Sequence, residues 1–358
     1  MSSIAKHNFL DKALHNVAFN PWLPLTALSN IETRFFHKDL SRIKIKRPVF
    51  ITALPRAGTT LLLQLCVKTN KFASHTYGDM PFLLTPLFWR SLSKAFRKLD
   101  APQERVHGDG VMIDANSPES FEEIIWKKFW PSRYRSDRII PWSEPSYPAF
   151  EQFFDEHARK IVFVRTGSEH LTSRYISKNN LNIARIKYLR SVFPDAIIIV
   201  PFRQPLQHAA SLLRQHRNFL NIHENNPFAR KYMKDTGHYD FGKNLRPINF
   251  NDWLSSKNRA KPNNLLFWLQ YWIKAYQYLL NNAKNEVFFL SYDRLCEEPE
   301  RSLNWLSKLL KIEDAETLTK NSDQIFAPKS YSVDTTSINS ETLHQAEVLF
   351  LDLKNSCE

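Results

Sequence analysis

The chain has 358 residues, 43% of them hydrophobic and 24% charged, which is ordinary for a globular protein of one large domain or two modest ones. The formal net charge of +13 favours anionic partners such as nucleotides, acidic glycans or anionic lipid surfaces, and no lysine/arginine-rich run or RNA-binding motif favours nucleic acid. Three distant cysteines without metal-ligand spacing predict a reducing, cytoplasmic setting, and no segment is apolar enough to predict a signal core or a membrane span.

Residues 1–46 show apolar side chains at helical spacing, as in "LDKALHNVAFNPWL" and "LSNIETRFFHKDLSRI". We therefore predict an N-terminal helical extension over 1–46 and a single α/β domain with helical insertions over 47–358. That domain opens with a strand in "RPVFITAL" and a helix in "GTTLLLQLCVKTN".

Strand and helix patterns then alternate along the rest of the chain. A helix is predicted in "SPESFEEIIWKKFW", with Ser117 as N-cap and a solvated acidic first turn. Strands are predicted in "SRYISK", "DAIIIVPF" and "EVFFLSY", each followed by a helical pattern, whereas 223–262 is predicted to be an irregular loop on the substrate side. Such alternation predicts an α/β fold with a mostly parallel sheet flanked by helices.

The stretch "VFITALPRAGTTLLLQL" combines a strand, a short loop and a helix. A helix N-terminus binds anions through unpaired N–H groups and the helix dipole, and Gly58 allows the backbone to approach closely. Thr59 and Thr60 add hydroxyl donors beside Ala57. The lysine that triphosphatases place after the last glycine is missing, and Arg56 offers a planar cation instead. The loop therefore suits an oxyanion of lower charge than a triphosphate, held without metal.

A second anchor follows the strand in "IIIVPFRQPLQHAASLL". Arg203 stands directly after that strand, and Ser211 lies eight residues further on, in the next helix. Because ligands of parallel sheets bind outside the carboxyl ends of the strands, both side chains are expected to face the same crevice as the first loop.

These two blocks, in this order, resemble the sulfotransferases that use 3′-phosphoadenosine 5′-phosphosulfate (PAPS). The resemblance implies a P-loop-like α/β fold and metal-free transfer of a sulfuryl group to an acceptor hydroxyl. It also implies that "LPRAGTT" holds the 5′-phosphosulfate, and that Arg203 and Ser211 hold the 3′-phosphate. The matching segments span roughly 48 to 312, so the domain over 47–358 is expected to be a sulfotransferase domain.

The segment "RYISKNNLNIARIKYLRSVFPDAIIIVPFRQPLQHAASLL" looks like the centre of tyrosylprotein and many bacterial sulfotransferases. Lys178 matches the lysine that contacts the transferring group in that family. The cytosolic small-molecule enzymes carry a catalytic histidine two residues after this lysine, but Asn180 stands there in this chain. Asparagine takes no proton, so a different general base is expected.

The resembling families that lack this histidine use a carboxylate after the first helix, where this chain reads "SHTYGDMPFLL". Asp79 is therefore the first choice for the base, and His75 in the same loop is the second. Four further residues remain open as alternatives: Glu122, Glu123, His107 and Asp109.

A C-terminal loop often reaches the 3′-phosphate in this family, and Lys329 in "APKSYSVDT" is the expected contact. The expected acceptor is a hydroxyl of a saccharide or glycolipid. Two other readings stay open: a P-loop kinase of a small molecule, and a basic module that binds nucleic acid or anionic glycans without catalysis.

Overall fold

A parallel five-stranded sheet forms the centre of the protein. In the computed structural model, the described residues are 9–93, 103–104, 112–143, 145–167, 173–256, 259–327, 330–336 and 338–357. The sheet has the strand order β2-β5-β1-β6-β7, and a separate antiparallel pair is formed by β3 and β4. The strands are β1 (Val49–Ile51), β2 (Phe72–Ala73), β3 (Gln103–Glu104), β4 (Met112–Ile113), β5 (Arg174–Lys178), β6 (Ile197–Phe202) and β7 (Phe288–Ser291).

Helices cover both faces of this sheet, as the alternating pattern predicted. They are α1 (Phe9–Ala18), α2 (Leu25–Phe35), α3 (His37–Leu40), α4 (Thr59–Val67), α5 (Pro86–Ser93), α6 (Glu123–Phe129), α7 (Pro148–Thr166), α8 (Ile186–Val192), α9 (Pro205–Asn225), α10 (Pro227–Asp235), α11 (Leu265–Ala283), α12 (Tyr292–Glu297), α13 (Pro299–Leu310), α14 (Glu316–Thr319) and α15 (Ser340–Asn355).

Alternate residues of the central strand belong to two different hydrophobic cores. Phe50 packs into the larger core with Phe154 and Tyr175. Its neighbours Val49 and Ile51 join the core on the opposite face. Successive side chains of a strand point to opposite faces, so a strand buried on both sides must be apolar throughout. This explains why β1 and β6 read as continuous apolar runs, and it confirms the predicted α/β fold.

Two expectations from the sequence are wrong. The helix predicted from Ser117 begins only at Glu123, because residues 117–119 instead lie in an extended segment beside 75–77. The region 223–262 is not irregular throughout, since it contains α10 and two 3₁₀ turns, Gly242–Asn244 and Phe250–Ser255.

Pro227 at the start of α10 and the Asn226 side chain, which accepts a hydrogen bond from Ala229 N–H, favour that helix despite its polar composition. None of the helices within the described ranges combines the length and apolar content that crossing a bilayer requires.

Candidate active site

The loop between β1 and α4 turns sharply at two residues. Arg56 has a φ of 70° and Gly58 a φ of 90°, both in the left-handed region. The ring of Tyr292 lies directly against Gly58, and a Cβ added to this glycine would stand 2.2 Å from the ring carbon Cδ2. Glycine is therefore required here by both the backbone conformation and the close approach. No described side chain caps α4 at this N-terminus.

Two side chains from outside the loop, Arg203 and His208, donate hydrogen bonds to its carbonyl groups. Arg203 donates from Nη1 to the carbonyl of Arg56 across 2.9 Å, and His208 donates from Nε2 to the carbonyl of Pro55 across 2.7 Å. Burial lowers the pKa of His208 to about 3, so its ring is neutral and carries the one proton that this contact uses. The loop and the end of β6 are therefore one rigid unit.

Arg203 is almost fully buried at the end of β6, with 5% of its surface exposed. Its Nε–H is buried and has no hydrogen-bond partner among the described residues. The guanidinium lies 5.6 Å from the Tyr292 ring centre, and Ser211 is buried eight residues further along, in α9. A buried, unsatisfied cationic donor is costly unless an acceptor completes it, and an anion fits that requirement.

The same edge of the sheet carries Lys178, at the end of β5. The strand register sets Ile51 opposite both Lys178 and Ile199, so β1 and β5 end side by side and β6 continues beyond them to Phe202. Lys178 is buried and its Nζ lies 3.4 Å from Oε1 of Glu119. The structure thus brings the loop with Arg56, Lys178 and Arg203 to one edge. The sequence predicted this for the loop and Arg203, from the strand ends of a parallel sheet.

Glu119 is a buried carboxylate that the sequence analysis overlooked. Its Oε1 accepts from Ser120 N–H at 2.8 Å, and its Oε2 accepts from the Tyr77 hydroxyl at 2.9 Å. Its own N–H donates to the carbonyl of His75, which fixes the segment in place. The only signal in the sequence was its position in the acidic stretch "SPESFEE", and the pairing that carries it to Lys178 is tertiary.

Its neighbours Glu122 and Glu123 are not the solvated pair that was expected, because both are buried. Glu122 accepts from Trp126 Nε1 at 2.8 Å and from the Tyr175 hydroxyl at 3.1 Å. Glu123 forms an ion pair with Arg185, whose guanidinium is also fully buried. These contacts fasten α6 to the sheet, and a solvated face was wrong for this helix.

Asp79 and His75 have partners on α7 and close to their own loop. Asp79 accepts from Thr76 N–H at 2.8 Å and forms an ion pair with Arg165. His75 lies with its Nε2 2.9 Å from Nε2 of His157, and burial lowers the pKa of His75 to about 4. It is Glu119 that makes the ion pair with Lys178. The roles of Asp79 and His75 in proton transfer stay predictions.

Asn180 links the loop to a second carboxylate. Its Oδ1 accepts from the Thr59 hydroxyl, and its Nδ2 donates to Oδ2 of Asp240, each across 3.4 Å. Its main-chain carbonyl accepts from the Thr52 hydroxyl at 3.3 Å. Asn180, which stands where the sequence analysis noted a missing histidine, therefore links α4 to Asp240 through its side chain.

The C-terminal segment crosses α9 beside this site. The Gln207 side chain donates to the carbonyl of Tyr331 at 3.0 Å and accepts from Tyr331 N–H at 2.8 Å. The guanidinium of Arg214 lies 5.7 Å from the Tyr331 ring centre. Lys329 lies outside the described residues, as do His107 and Asp109. Within the described ranges, no three His, Cys, Asp or Glu side chains are grouped to hold a metal ion.

Comparison with known proteins agrees with this architecture. The chain matches the family described as "Sulfotransferase family" over residues 48–316, which is most of its length. No curated protein matches its sequence.

Solved structures of similar fold include sulfotransferase STF9 from Mycobacterium avium, with 16% identity and a TM-score of 0.53 over 94% of this chain and 83% of that one. Another is sulfotransferase STF1 from Mycobacterium tuberculosis H37Rv, with 12% identity and a TM-score of 0.47 over 89% of this chain and 80% of that one.

Proposed function

The chain belongs to the sulfotransferase family, and from that membership we propose that it moves a sulfuryl group from PAPS to a hydroxyl of a saccharide or glycolipid. Membership makes the protein a transferase of sulfuryl groups. The identities of the donor and of the acceptor are the proposed part.

One observation supports PAPS as the sulfuryl donor: the buried Nε–H of Arg203 has no hydrogen-bond partner among the described residues. This cation stands at one strand end, and its Nη1 is tied to the loop at the neighbouring strand end. PAPS is anionic at two separated positions, the 5′-phosphosulfate and the 3′-phosphate. Arg203 and the loop with Arg56 are two cationic positions that this hydrogen bond keeps together. Their arrangement supports a ligand with two anionic groups.

We assign the binding groups accordingly. Arg56, the N–H groups of residues 57–60 and the hydroxyls of Thr59 and Thr60 would hold the 5′-phosphosulfate. Arg203 and Ser211 would hold the 3′-phosphate, and Lys329 remains a candidate for the same contact. When bound, PAPS supplies a sulfuryl group on a phosphate that leaves readily.

Lys178 is the cation that we assign to the transferring group. Its Glu119 partner at 3.4 Å holds the ammonium at the sheet edge while leaving its other N–H donors available. A buried cation aimed at oxygens on which negative charge develops stabilises the transition state more than an exposed one would, because water does not screen it.

The acceptor proposal rests on charge. A net charge of +13 raises the local concentration of anionic glycans and anionic lipid headgroups around the protein. Transfer of labelled sulfate from PAPS to a panel of saccharides, glycolipids and tyrosine peptides tests this part. Label found on peptides but on no sugar would contradict it.

Binding of the desulfated donor, 3′-phosphoadenosine 5′-phosphate (PAP), tests the donor without any acceptor. At 100 times its Kd, PAP is expected to stabilise the protein by about 2.7 kcal/mol, which a thermal-shift assay resolves. ATP with Mg²⁺ serves as the comparison. The absence of stabilisation by PAP, or equal stabilisation by ATP–Mg²⁺, would overturn the donor and favour the kinase reading.

A further inference from the structure

Asp240 is a carboxylate at this site that belongs to none of the predicted groups. We propose that it accepts the proton of the acceptor hydroxyl during sulfuryl transfer, as the general base of the reaction. This inference rests on the proposed function and adds a residue to it.

Asp240 lies close to Asn180 and Lys178. It lines a small cavity together with Asn180, Ser120 and His238. Through Asn180 it is one side chain away from Thr59, the first residue of the helix that we assign to the phosphosulfate. A hydroxyl at this cavity would lie beside the helix N-terminus and near Lys178, where the base has to be.

The loop that carries Asp240 is built to a fixed shape. It contains two of the chain's seven glycines, Gly237 with φ 86° and Gly242 with φ 66°. A Cβ on Gly237 would stand 2.5 Å from Cγ of Glu123, and one on Gly242 would stand 2.6 Å from Nδ1 of His223. The loop is therefore packed against α6 on one side and α9 on the other.

Two neutral histidines of α9 fasten the loop backbone. Nδ1 of His216 accepts from Gly242 N–H, and Nδ1 of His223 accepts from Lys243 N–H, each at 3.1 Å. Burial lowers the pKa of both histidines to about 4, so each ring is neutral at pH 7 and its Nδ1 accepts the hydrogen bond. A carboxylate held by such a loop is oriented before any substrate arrives.

Charges around Asp240 suit a base that works near neutrality. Burial raises its pKa to about 6, helped by the Glu123 charge and opposed by the Lys178 charge and the Asn180 hydrogen bond. Tyr271 and His238 are the other titratable groups that lie near it. A base is most effective when its pKa lies close to the working pH.

Glu119 is the alternative carboxylate, and its contacts give it a different role. Both of its oxygens are engaged, by Lys178 and Ser120 N–H on one side and by Tyr77 on the other. Among the described residues, Asp240 has a single hydrogen-bond partner, the Asn180 amide at 3.4 Å. Asp240 thus has lone pairs left for an incoming hydroxyl, whereas Glu119 positions Lys178.

The acceptor oxygen forms a bond to sulfur, its proton passes to the Asp240 carboxylate, and the bond between sulfur and the bridging phosphate oxygen breaks. The electron pair of the broken bond stays on that phosphate oxygen, which the Lys178 and Arg56 cations stabilise. The products are a sulfate ester, PAP and a protonated Asp240, which returns its proton to water.

The test compares Asp240→Asn with the wild type by three readouts, none of which requires the identity of the acceptor. The first readout is a ¹³C NMR titration of the PAP complex labelled at the aspartate carboxyl carbons. The second is slow release of labelled sulfate from PAPS, with water as acceptor, over a range of pH. The third is PAP affinity by calorimetry. Asp240→Glu keeps a carboxyl and shows whether loss of rate comes from loss of the base or from a disturbed loop.

We expect one carboxyl signal to titrate near pH 6 and to be missing in Asp240→Asn. We also expect sulfate release to fall by about 100-fold or more, with PAP affinity kept within about threefold and a partial rate in Asp240→Glu. The inference is overturned if no such signal exists, if release is unchanged, or if PAP affinity collapses. It is also overturned if Asp79→Asn, and not Asp240→Asn, removes the decrease in the release rate at low pH. Wild-type protein that fails to bind PAP would refute the proposed function itself.

Discussion

Arg203 donates a hydrogen bond from Nη1 to the main-chain carbonyl of Arg56, so the end of β6 and the loop after β1 hold each other. One arginine thereby serves two purposes, because its Nη1 fixes the loop while its buried Nε–H stays available for an anion. Two sites that are 147 residues apart in sequence are mechanically coupled through this contact.

Replacing Arg203 by alanine is expected to weaken PAP binding by about 10- to 100-fold, since a charged hydrogen bond and the loop contact are both lost. Calorimetry with PAP measures the change. Arg217→Ala, at an exposed arginine of α9, is the matched control and should change the affinity less than about twofold. Equal losses in the two variants would mean that overall charge, rather than the site, binds PAP.

Lys178→Ala is expected to lower the rate of sulfate transfer by about 100- to 1,000-fold, because the transition state loses a preorganised cation. PAP affinity should fall much less than the rate. The exposed Lys187 on α8 offers the control variant Lys187→Ala, with a rate close to that of the wild type. Full activity in Lys178→Ala would refute its assigned role.

Gly58→Ala should abolish detectable PAP binding, since its Cβ would collide with the Tyr292 ring that lies beside Arg203. Gly167→Ala is the control, because Gly167 also has a positive φ, of 64°, but no atom of the described residues lies within 4 Å of the added Cβ. Both variants lose stability from backbone strain. Only Gly58→Ala is expected to lose PAP binding beyond what its lowered Tm explains.

The buried histidine pair predicts a loss of stability in acid. Burial lowers the pKa of His157 well below its ordinary value, so the unfolded chain binds a proton that the folded protein does not. The free energy of unfolding therefore falls as pH drops below about 6.5. His157→Phe should reduce this slope by at most about 1.4 kcal/mol per pH unit.

Chemical denaturation at several pH values between about 4.5 and 7 measures the slope. His344→Phe, at an exposed histidine of α15, should leave the slope as in the wild type. Equal slopes in wild type and His157→Phe would show that His157 is protonated in the folded protein.

Strand ends were the part of the site that the sequence predicted best. Arg56 and Arg203 each follow an apolar run, and Lys178 ends the predicted strand "SRYISK". The carboxyl ends of parallel strands must meet at one edge. For Arg56 and Arg203 the assignment needed only local information, namely where a buried strand stops, whereas Lys178 was assigned from its match to the family's lysine. The short edge strand Phe72–Ala73 was missed, because two residues have no visible period.

The two carboxylates could not be predicted in the same way. Glu119 and Asp240 lie in segments without regular structure, whose positions depend on contacts with distant parts of the chain. Glu119 is located by pairing with the loop around His75, and Asp240 by the histidines of α9. His208 gave no signal either, since a single histidine in a helix does not reveal that it holds a carbonyl of the neighbouring loop.

The two hydrogen bonds between the Gln207 side chain and the Tyr331 backbone restrict the choice of amino acid at the two positions unequally. The carboxamide of Gln207 hydrogen-bonds to the N–H and C=O groups of residue 331, which every amino acid except proline possesses in full. At position 207, in contrast, the side chain must supply a donor and an acceptor at the right reach. A substitution at position 331, other than proline, would therefore keep both hydrogen bonds to α9 and lose only the ring that lies near Arg214, whereas most replacements at position 207 would remove these hydrogen bonds.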